Sequence, residues 1–310
     1  MHLPSEQRGD KPRQLRQGLL GDRLLRAIGV HDGFTALLAG RHPVDALWLS
    51  GLGVSAAHGV PDASILSMTD FLSAARIADR ATTLPVIADC DSGFGDVNNI
   101  VHMVREYEQA GIAAVCIEDK QFPKRNSFSE GQLLADPHEF AAKIAAAKRA
   151  QRTADFTVFA RVESLVAGAD QDEALYRARL YAEAGADAIV IHSKAKTPDE
   201  VLTFAHRFRP AHPGLPLVVI PTTYPVVTEE ELARAGISLV IYANQILRAF
   251  VGAADTVLSR ILADHGAGGA DTGLVDVRQV LDLIGTEAVS ANSGWFEETT
   301  QTLRTTTARA

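Results

Sequence analysis

The sequence predicts a single (β/α)₈ barrel, and three observations predict it. Short apolar runs recur eight times, the segments between them carry helical periodicity, and chemically active side chains gather where the runs end. The runs are 27–30, 46–49, 85–88, 113–117, 156–162, 188–191, 217–220 and 239–242. Their length and β-branched content favour parallel strands buried on both faces over fragments of helix. Between them, 139–149 and 172–183 alternate charge and alanine at helical spacing. Phrases such as Glu108-Gln109-Ala110-Gly111 and Glu183-Ala184-Gly185 read as glycine-terminated helices feeding the next strand. A doubly wound open sheet has the same alternation but scatters its strand ends. A closed barrel gathers them around one mouth. Ser50, Asp89, Asp91, Glu118, Arg161, Glu163, His192, Ser193, Thr222 and Asn244 all fall at or just past strand ends, which selects the barrel.

The 310 residues are 46% hydrophobic, ample for one core of this size. A formal net charge of −8 gives no electrostatic footprint for nucleic acid or an anionic membrane. No stretch reaches the roughly 18 apolar residues of a spanning helix. Cys90 and Cys116 lie inside apolar runs and read as small buried hydrophobes, with no disulfide framework or zinc cluster. A reducing, cytoplasmic setting is the default expectation. Near the start, Arg8, Lys11, Arg13 and Arg16 alternate with Glu6 and Asp10, which speaks against a transit peptide. Residues 1–18 are expected to be a polar flexible tail, 19–291 the barrel, and 292–310 a second tail.

Taken in chain order, the strand ends carry the chemistry. The second run closes on Trp48-Leu49-Ser50-Gly51-Leu52. A hydroxyl followed by small residues exposes backbone N–H groups able to seat a carboxylate, and Trp48 either floors the pocket or packs in the core. Asp62 follows in the next loop. Asp89-Cys90-Asp91 ends the third run, where residues two apart share a face, and Glu118 ends the fourth. Singly, each acid reads equally well as a helix cap or ion-pair partner. Four acids at one mouth repel unless a cation or raised pKa values compensate, and oxygen-only donors beside a substrate point to Mg²⁺ with retained waters. The connection over 119–137 is long for a βα loop and reads as a lid. Its Lys120, Lys124 and Arg125 can meet an anion, and Asn126 and Ser127 offer neutral hydrogen bonds. Opposite stand Arg161, suited to phosphoryl or carboxylate oxygens, and His192-Ser193. Arg161 can instead pair with Glu163 or Asp187 as an ordinary bridge.

These residues resemble a known family. Glu118-Asp119-Lys120-Gln121-Phe122-Pro123-Lys124-Arg125-Asn126-Ser127 looks like the signature of the phosphoenolpyruvate mutase branch of the isocitrate lyase superfamily. Asp89-Cys90-Asp91-Ser92-Gly93-Phe94-Gly95, Ala160-Arg161-Val162-Glu163, His192-Ser193-Lys194 and Ser50-Gly51-Leu52 match as well, over about residues 20–285. The resemblance implies a barrel whose C-terminal helix swaps between subunits of a homotetramer, a dimer of swapped dimers. It implies Asp89 as the direct Mg²⁺ ligand, with Asp62, Asp91 and Glu118 acting through bound waters. Ser50, with Gly51 and Leu52, would hold a pyruvyl carboxylate; Trp48, Lys120 and Ser193 complete the expected substrate-binding set. Lys124, Asn126, Ser127, Arg161 and His192 would surround a phosphoryl group as the catalytic set. Asn126 is expected to orient rather than attack, since a neutral amide is a poor nucleophile. The implied reaction moves the phosphoryl group of phosphoenolpyruvate to carbon, giving phosphonopyruvate for phosphonate biosynthesis.

Carbon–carbon lyases of the superfamily carry Lys-x-Cys-Gly-His in this lid. Here the stretch reads Lys124-Arg125-Asn126-Ser127-Phe128, which disfavours a lyase, and an oxaloacetate hydrolase is comparably remote. The nearer rival is phosphonopyruvate hydrolase, which tends to have threonine where Asn126 stands. Pro221-Thr222-Thr223-Tyr224-Pro225 looks hydrolase-like. A barrel that binds metabolites without catalysis is the reading from another class.

Overall fold

The computed structural model describes residues 5–307. Eight parallel strands close on themselves in sequence order. They are β1 (Leu25–Val30), β2 (Ala46–Leu49), β3 (Val86–Asp89), β4 (Ala114–Glu118), β5 (Thr157–Val162), β6 (Ala188–Ile191), β7 (Leu217–Val219) and β8 (Leu239–Tyr242). Every expected run holds a strand. Closure comes from the pairing of Leu25 with Leu239 and Ile28 with Tyr242.

The chain opens on helix α1 (Ser5–Leu19), and the barrel helices are α2 (Gly33–Ala39), α3 (Gly51–Ala57), α4 (Met68–Ala81), α5 (Val97–Gln109), α6 (Pro137–Ala150), α7 (Gln171–Glu183), α8 (Asp199–Phe208) and α9 (Glu229–Arg234). After β8 come α10 (Gln245–Asp264), α11 (Val277–Leu283) and α12 (Thr286–Thr307). Start signals are local: Asp96 accepts from the N–H groups of Asn98 and Asn99 to begin α5, and Asp136, followed by Pro137, does the same for α6.

Period-two alternation sorts the core into two layers. Leu47, Ala88, Val115, Ile117 and Val158 face the surrounding helices. Trp48, Ile87, Cys116, Phe159, Val190 and Ile241 fill the barrel interior. Cys90 and Cys116 are buried free thiols belonging to the two different layers.

Two stretches depart from expectation. Residues 1–18 were expected to be a polar tail, yet from Ser5 the chain forms α1, whose Leu15 and Leu19 join the interior layer beside Leu25. Fully burying two such side chains contributes about 1.5–3 kcal/mol each. The polar composition hid this, because one narrow apolar stripe suffices, and Lys11 is itself buried, donating to the Asp79 carboxylate at 2.7 Å. Residues 1–4 of that expected tail lie outside the described residues. At the other end, one compact unit runs as far as Ala249 and holds the barrel, and the chain from Phe250 onward belongs to a second. The expected tail 292–310 is helical as far as Thr307. No helix among the described residues is long and apolar enough to cross a membrane.

Candidate active site

Alternation along the strands builds the site. Ile87, Cys116, Phe159 and Val190 fill the interior, so Asp89, Glu118, Arg161 and His192, each two residues further on, continue the same face at the C-terminal mouth. Trp48 and Ser50 repeat the pattern on β2. Register aligns them, with Asp89 opposite Cys116 and Glu118 opposite Arg161. These six, with Leu52 and Asp62, line a cavity of about 50 Å³. The lid supplies the remaining wall through Lys124, Asn126, Ser127 and Phe128.

The lid grips the barrel at two places. At the first, Lys124 Nζ lies 2.6 Å from Asp62 Oδ1 and 3.2 Å from Asp91 Oδ1, while Asn126 Nδ2 donates to Asp62 Oδ2 at 2.6 Å. Ser64 joins the same corner, accepting from the Lys124 N–H and donating to Asp91 Oδ2, both at 3.1 Å. At the second place, Glu163 is the hub. Its carboxylate meets Arg161 Nε at 2.5 Å, His192 Nδ1 at 2.7 Å, the Ser127 hydroxyl at 2.8 Å and Lys120 Nζ at 3.0 Å. His192 Nδ1 also lies 2.8 Å from Arg161 Nη2, so the ring is held between the carboxylate and the guanidinium.

Burial and charge set the titration of these groups. Burial, reinforced by Asp89, Glu118 and Asp62, pushes Asp91 up to about 7 despite Lys124. Asp89 is raised for the same first reason, against the pull of Arg161 and Lys124. Burial alone would discharge Lys124, but the surrounding carboxylates outweigh it and hold the ammonium firmly protonated. Glu163 is buried too, yet Arg161, His192 and Lys120 keep it well below the usual carboxylate range. His192 is lowered, chiefly by burial. One corner of the mouth is thus short of positive charge, and the opposite one sets two cations, Arg161 and Lys120, against the single carboxylate Glu163.

The acid corner fits a divalent cation in a particular way. Among the described residues no three side chains converge as a ready cage. However, Asp91 Oδ1 and Glu118 Oε1 are buried oxygens that accept no hydrogen bond and have only ion-pair neighbours, Lys124 at 3.2 Å and Lys120 at 3.5 Å. Hard oxygen donors with few direct contacts suit Mg²⁺, which takes one or two carboxylates and retains water. Gly51 permits this crowding, since a Cβ there would lie 3.1 Å from Asp89 Oδ2.

Not every expected residue reaches the cavity. Gly51 lies behind it, with its N–H 3.4 Å from Asp89 Oδ2. Asp91 and Lys120 are buried in the two ion-pair clusters. Ser193 turns aside, engaging Glu200 in a short hydrogen bond and capping the Ala195 N–H. Ser50, besides lining the cavity, accepts from the Gly53 N–H to begin α3. Conversely, Phe128, Ile220, Thr222, Ala243 and Asn244 line the cavity without having been assigned a role. Asn244 Oδ1 is buried and accepts nothing. The signal was present: Ile220 and Ala243 lie two residues beyond interior-facing Val218 and Ile241. Glu163, expected as an ordinary bridge for Arg161, joins four partners.

The chain is 44% identical over 285 residues to the phosphonopyruvate hydrolase of Variovorax sp. (strain Pal2), covering 91% of this chain and 97% of that protein. The crystal structure of phosphoenolpyruvate phosphomutase from Streptomyces platensis subsp. rosaceus superposes with a TM-score of 0.89 at 46% identity, covering 92% and 99% of the two chains. A phosphonopyruvate hydrolase in complex with oxalate and Mg²⁺ gives 0.84 at 43%, covering 91% and 97%. Relatives at this level thus include both activities. Residues 15–262 match the phosphoenolpyruvate phosphomutase family, an enzyme family within the isocitrate lyase superfamily, and the chain belongs to it.

Proposed function

We propose that the protein is a Mg²⁺-dependent phosphoenolpyruvate mutase, interconverting phosphoenolpyruvate and 3-phosphonopyruvate. The observation that carries this is the cavity itself: an acid corner short of positive charge faces a basic corner across about 50 Å³, under a lid whose Asn126 side chain is fastened to Asp62. A corner that takes a cation and a corner that presents arginine and histidine suit the two charged ends of a phosphorylated three-carbon acid. The match to a hydrolase solved with Mg²⁺ and oxalate supports the cation, which Asp89 would hold directly and Asp62, Asp91 and Glu118 through water. Bound there, it supplies Lewis-acid stabilisation of charge developing on the pyruvyl oxygen.

The chain's own residues do the rest. Ser50, Leu52 and Trp48 line the cavity; Ser50 and Leu52, backed by Gly51, would seat the carboxylate, and Trp48 would floor the pocket. Arg161 and His192 stand where the phosphoryl oxygens would lie, both fixed by Glu163. A loose phosphoryl transition state needs positioning and charge more than covalent help. The P–O bond breaks and a C–P bond forms at C3, so atoms balance without water. Lys124, Asn126 and Ser127 hold the lid over the phosphoryl group, and Asn126 orients it.

Phosphonopyruvate hydrolase is the second reading, favoured by the 44% identity to the Variovorax enzyme. Incubation with phosphonopyruvate and Mg²⁺, followed by phosphorus NMR, separates the two. Phosphoenolpyruvate as product supports the mutase; pyruvate with inorganic phosphate overturns it in favour of the hydrolase.

Assembly and location belong to the same proposal. The C-terminal helices expose Val251, Leu258, Leu262, Trp295 and Phe296, an apolar content that favours covering by a second copy. We read this as a swapped-helix homotetramer. The unbridged thiols fit a cytoplasmic setting.

A further inference from the structure

Asp119 lies next to an expected metal-site acid yet does not line the cavity, and it is fully buried. Its Oδ1 accepts the Glu163 N–H at 2.8 Å. Its Oδ2 accepts the Tyr181 hydroxyl at 2.7 Å and Arg177 Nη1 at 3.2 Å, both from α7. The Asp119 backbone is committed as well: its N–H donates to Arg161 O at 3.0 Å, and its carbonyl accepts from Ala135 N at 2.9 Å. Arg177 Nη1 also donates to Ala135 O at 3.0 Å. Ala135 is where the lid returns to the barrel, so both of its backbone groups are held by one buried cluster. Just above it, Lys120 and Leu134 form an antiparallel bridge that closes the neck of the lid.

We propose that Arg177 and Tyr181, acting through Asp119, are positioning residues that fix the Glu163 carboxylate and the lid's return strand as one unit. Glu163 presents Arg161 and His192 to the cavity and receives Ser127 and Lys120 from the lid. A displacement at Asp119 is therefore transmitted to the phosphoryl-facing groups and to the lid together. Such a buried network is stiff because an unpaired member is costly in low dielectric. A shift of about 1 Å in positioning groups can lower turnover by ~10²-fold. The activity arm rests on the reading proposed above; the lid arm does not.

The test uses Tyr181→Phe, which keeps the ring against Phe140, 4.7 Å between centroids, together with Arg177→Met and Arg177→Lys. Full-length proteins are compared by circular dichroism, steady-state kinetics, and trypsin cleavage within the lid at Arg125, with Mg²⁺ and oxalate present. Tyr181→Phe is expected to lower kcat about tenfold with KM changed less than about threefold, and to speed lid cleavage by a similar factor. Arg177→Lys is expected to retain more activity than Arg177→Met. Unchanged lid cleavage and unchanged kcat in Tyr181→Phe overturn the proposal. So does a loss of activity that only follows the unfolded fraction. If the wild-type enzyme turns over neither substrate, the functional reading fails, and lid cleavage alone decides this proposal.

Discussion

Asp89, Glu118, Arg161 and His192 owe their positions to parity, each lying two residues beyond a side chain that packs the barrel interior. That much is legible in a sequence, because strand alternation needs no tertiary information. The role of Glu163 is not legible, since its partners come from two strand ends and the lid; sequence offers only the Arg161-x-Glu163 spacing. Glu163→Gln leaves Arg161 and Lys120 buried with a weakened counter-charge. Breaking a buried pair costs about 3–5 kcal/mol, so thermal unfolding should show a marked fall in Tm, with turnover reduced at least about a hundredfold. Unchanged Tm and turnover would remove the hub. Asp91 carries a pH prediction. Its folded pKa is raised to about 7 by burial and the neighbouring acids, so the protonated form favours folding, and that stability is lost as pH rises through 7. In metal-free protein, Asp91→Asn should therefore gain Tm relative to wild type between pH 5 and 8, and saturating Mg²⁺ should erase the trend. A constant difference across that range would contradict the assignment.

Among the elements, all eight strands could be read from the apolar runs, α6 and α7 from their charge–alanine alternation, and the ends of α5 and α7 from their glycines. The exceptions share a cause. Helix α1 looks polar because only a narrow stripe is buried, and Lys11 on that stripe finds Asp79, 68 residues away. The lid was legible as an unusually long loop, but its attachment to Asp62, Glu163 and Arg177 involves contacts distant in sequence. Asn126 tests the lid most locally. Asn126→Ala removes the donor to Asp62 Oδ2, leaving part of a buried carboxylate unsatisfied and the phosphoryl group unoriented. The expectation is a fall in kcat of about tenfold to a hundredfold with intact fold. Full activity in that variant would remove the orienting role.

At the scale of the whole molecule, the chain divides after Ala249, and the second unit exposes apolar side chains such as Leu262 and Trp295. Sequence could show these helices' apolar residues, but not that they lie outside the barrel's own core. Under the proposed swapped-helix tetramer, truncation after Asp264 should give a smaller species by light scattering than the full chain; an unchanged oligomeric state would refute the swapped arrangement. The proposed chemistry depends on something simpler than assembly: a cation that acids from β3 and β4 would hold has to receive a planar oxyanion. Calorimetric titration with oxalate, which resembles the charged pyruvyl group, tests this directly. Binding should require Mg²⁺ and should weaken at least about a hundredfold in Asp89→Asn. Equal binding without the metal, or binding indifferent to the substitution, would contradict it.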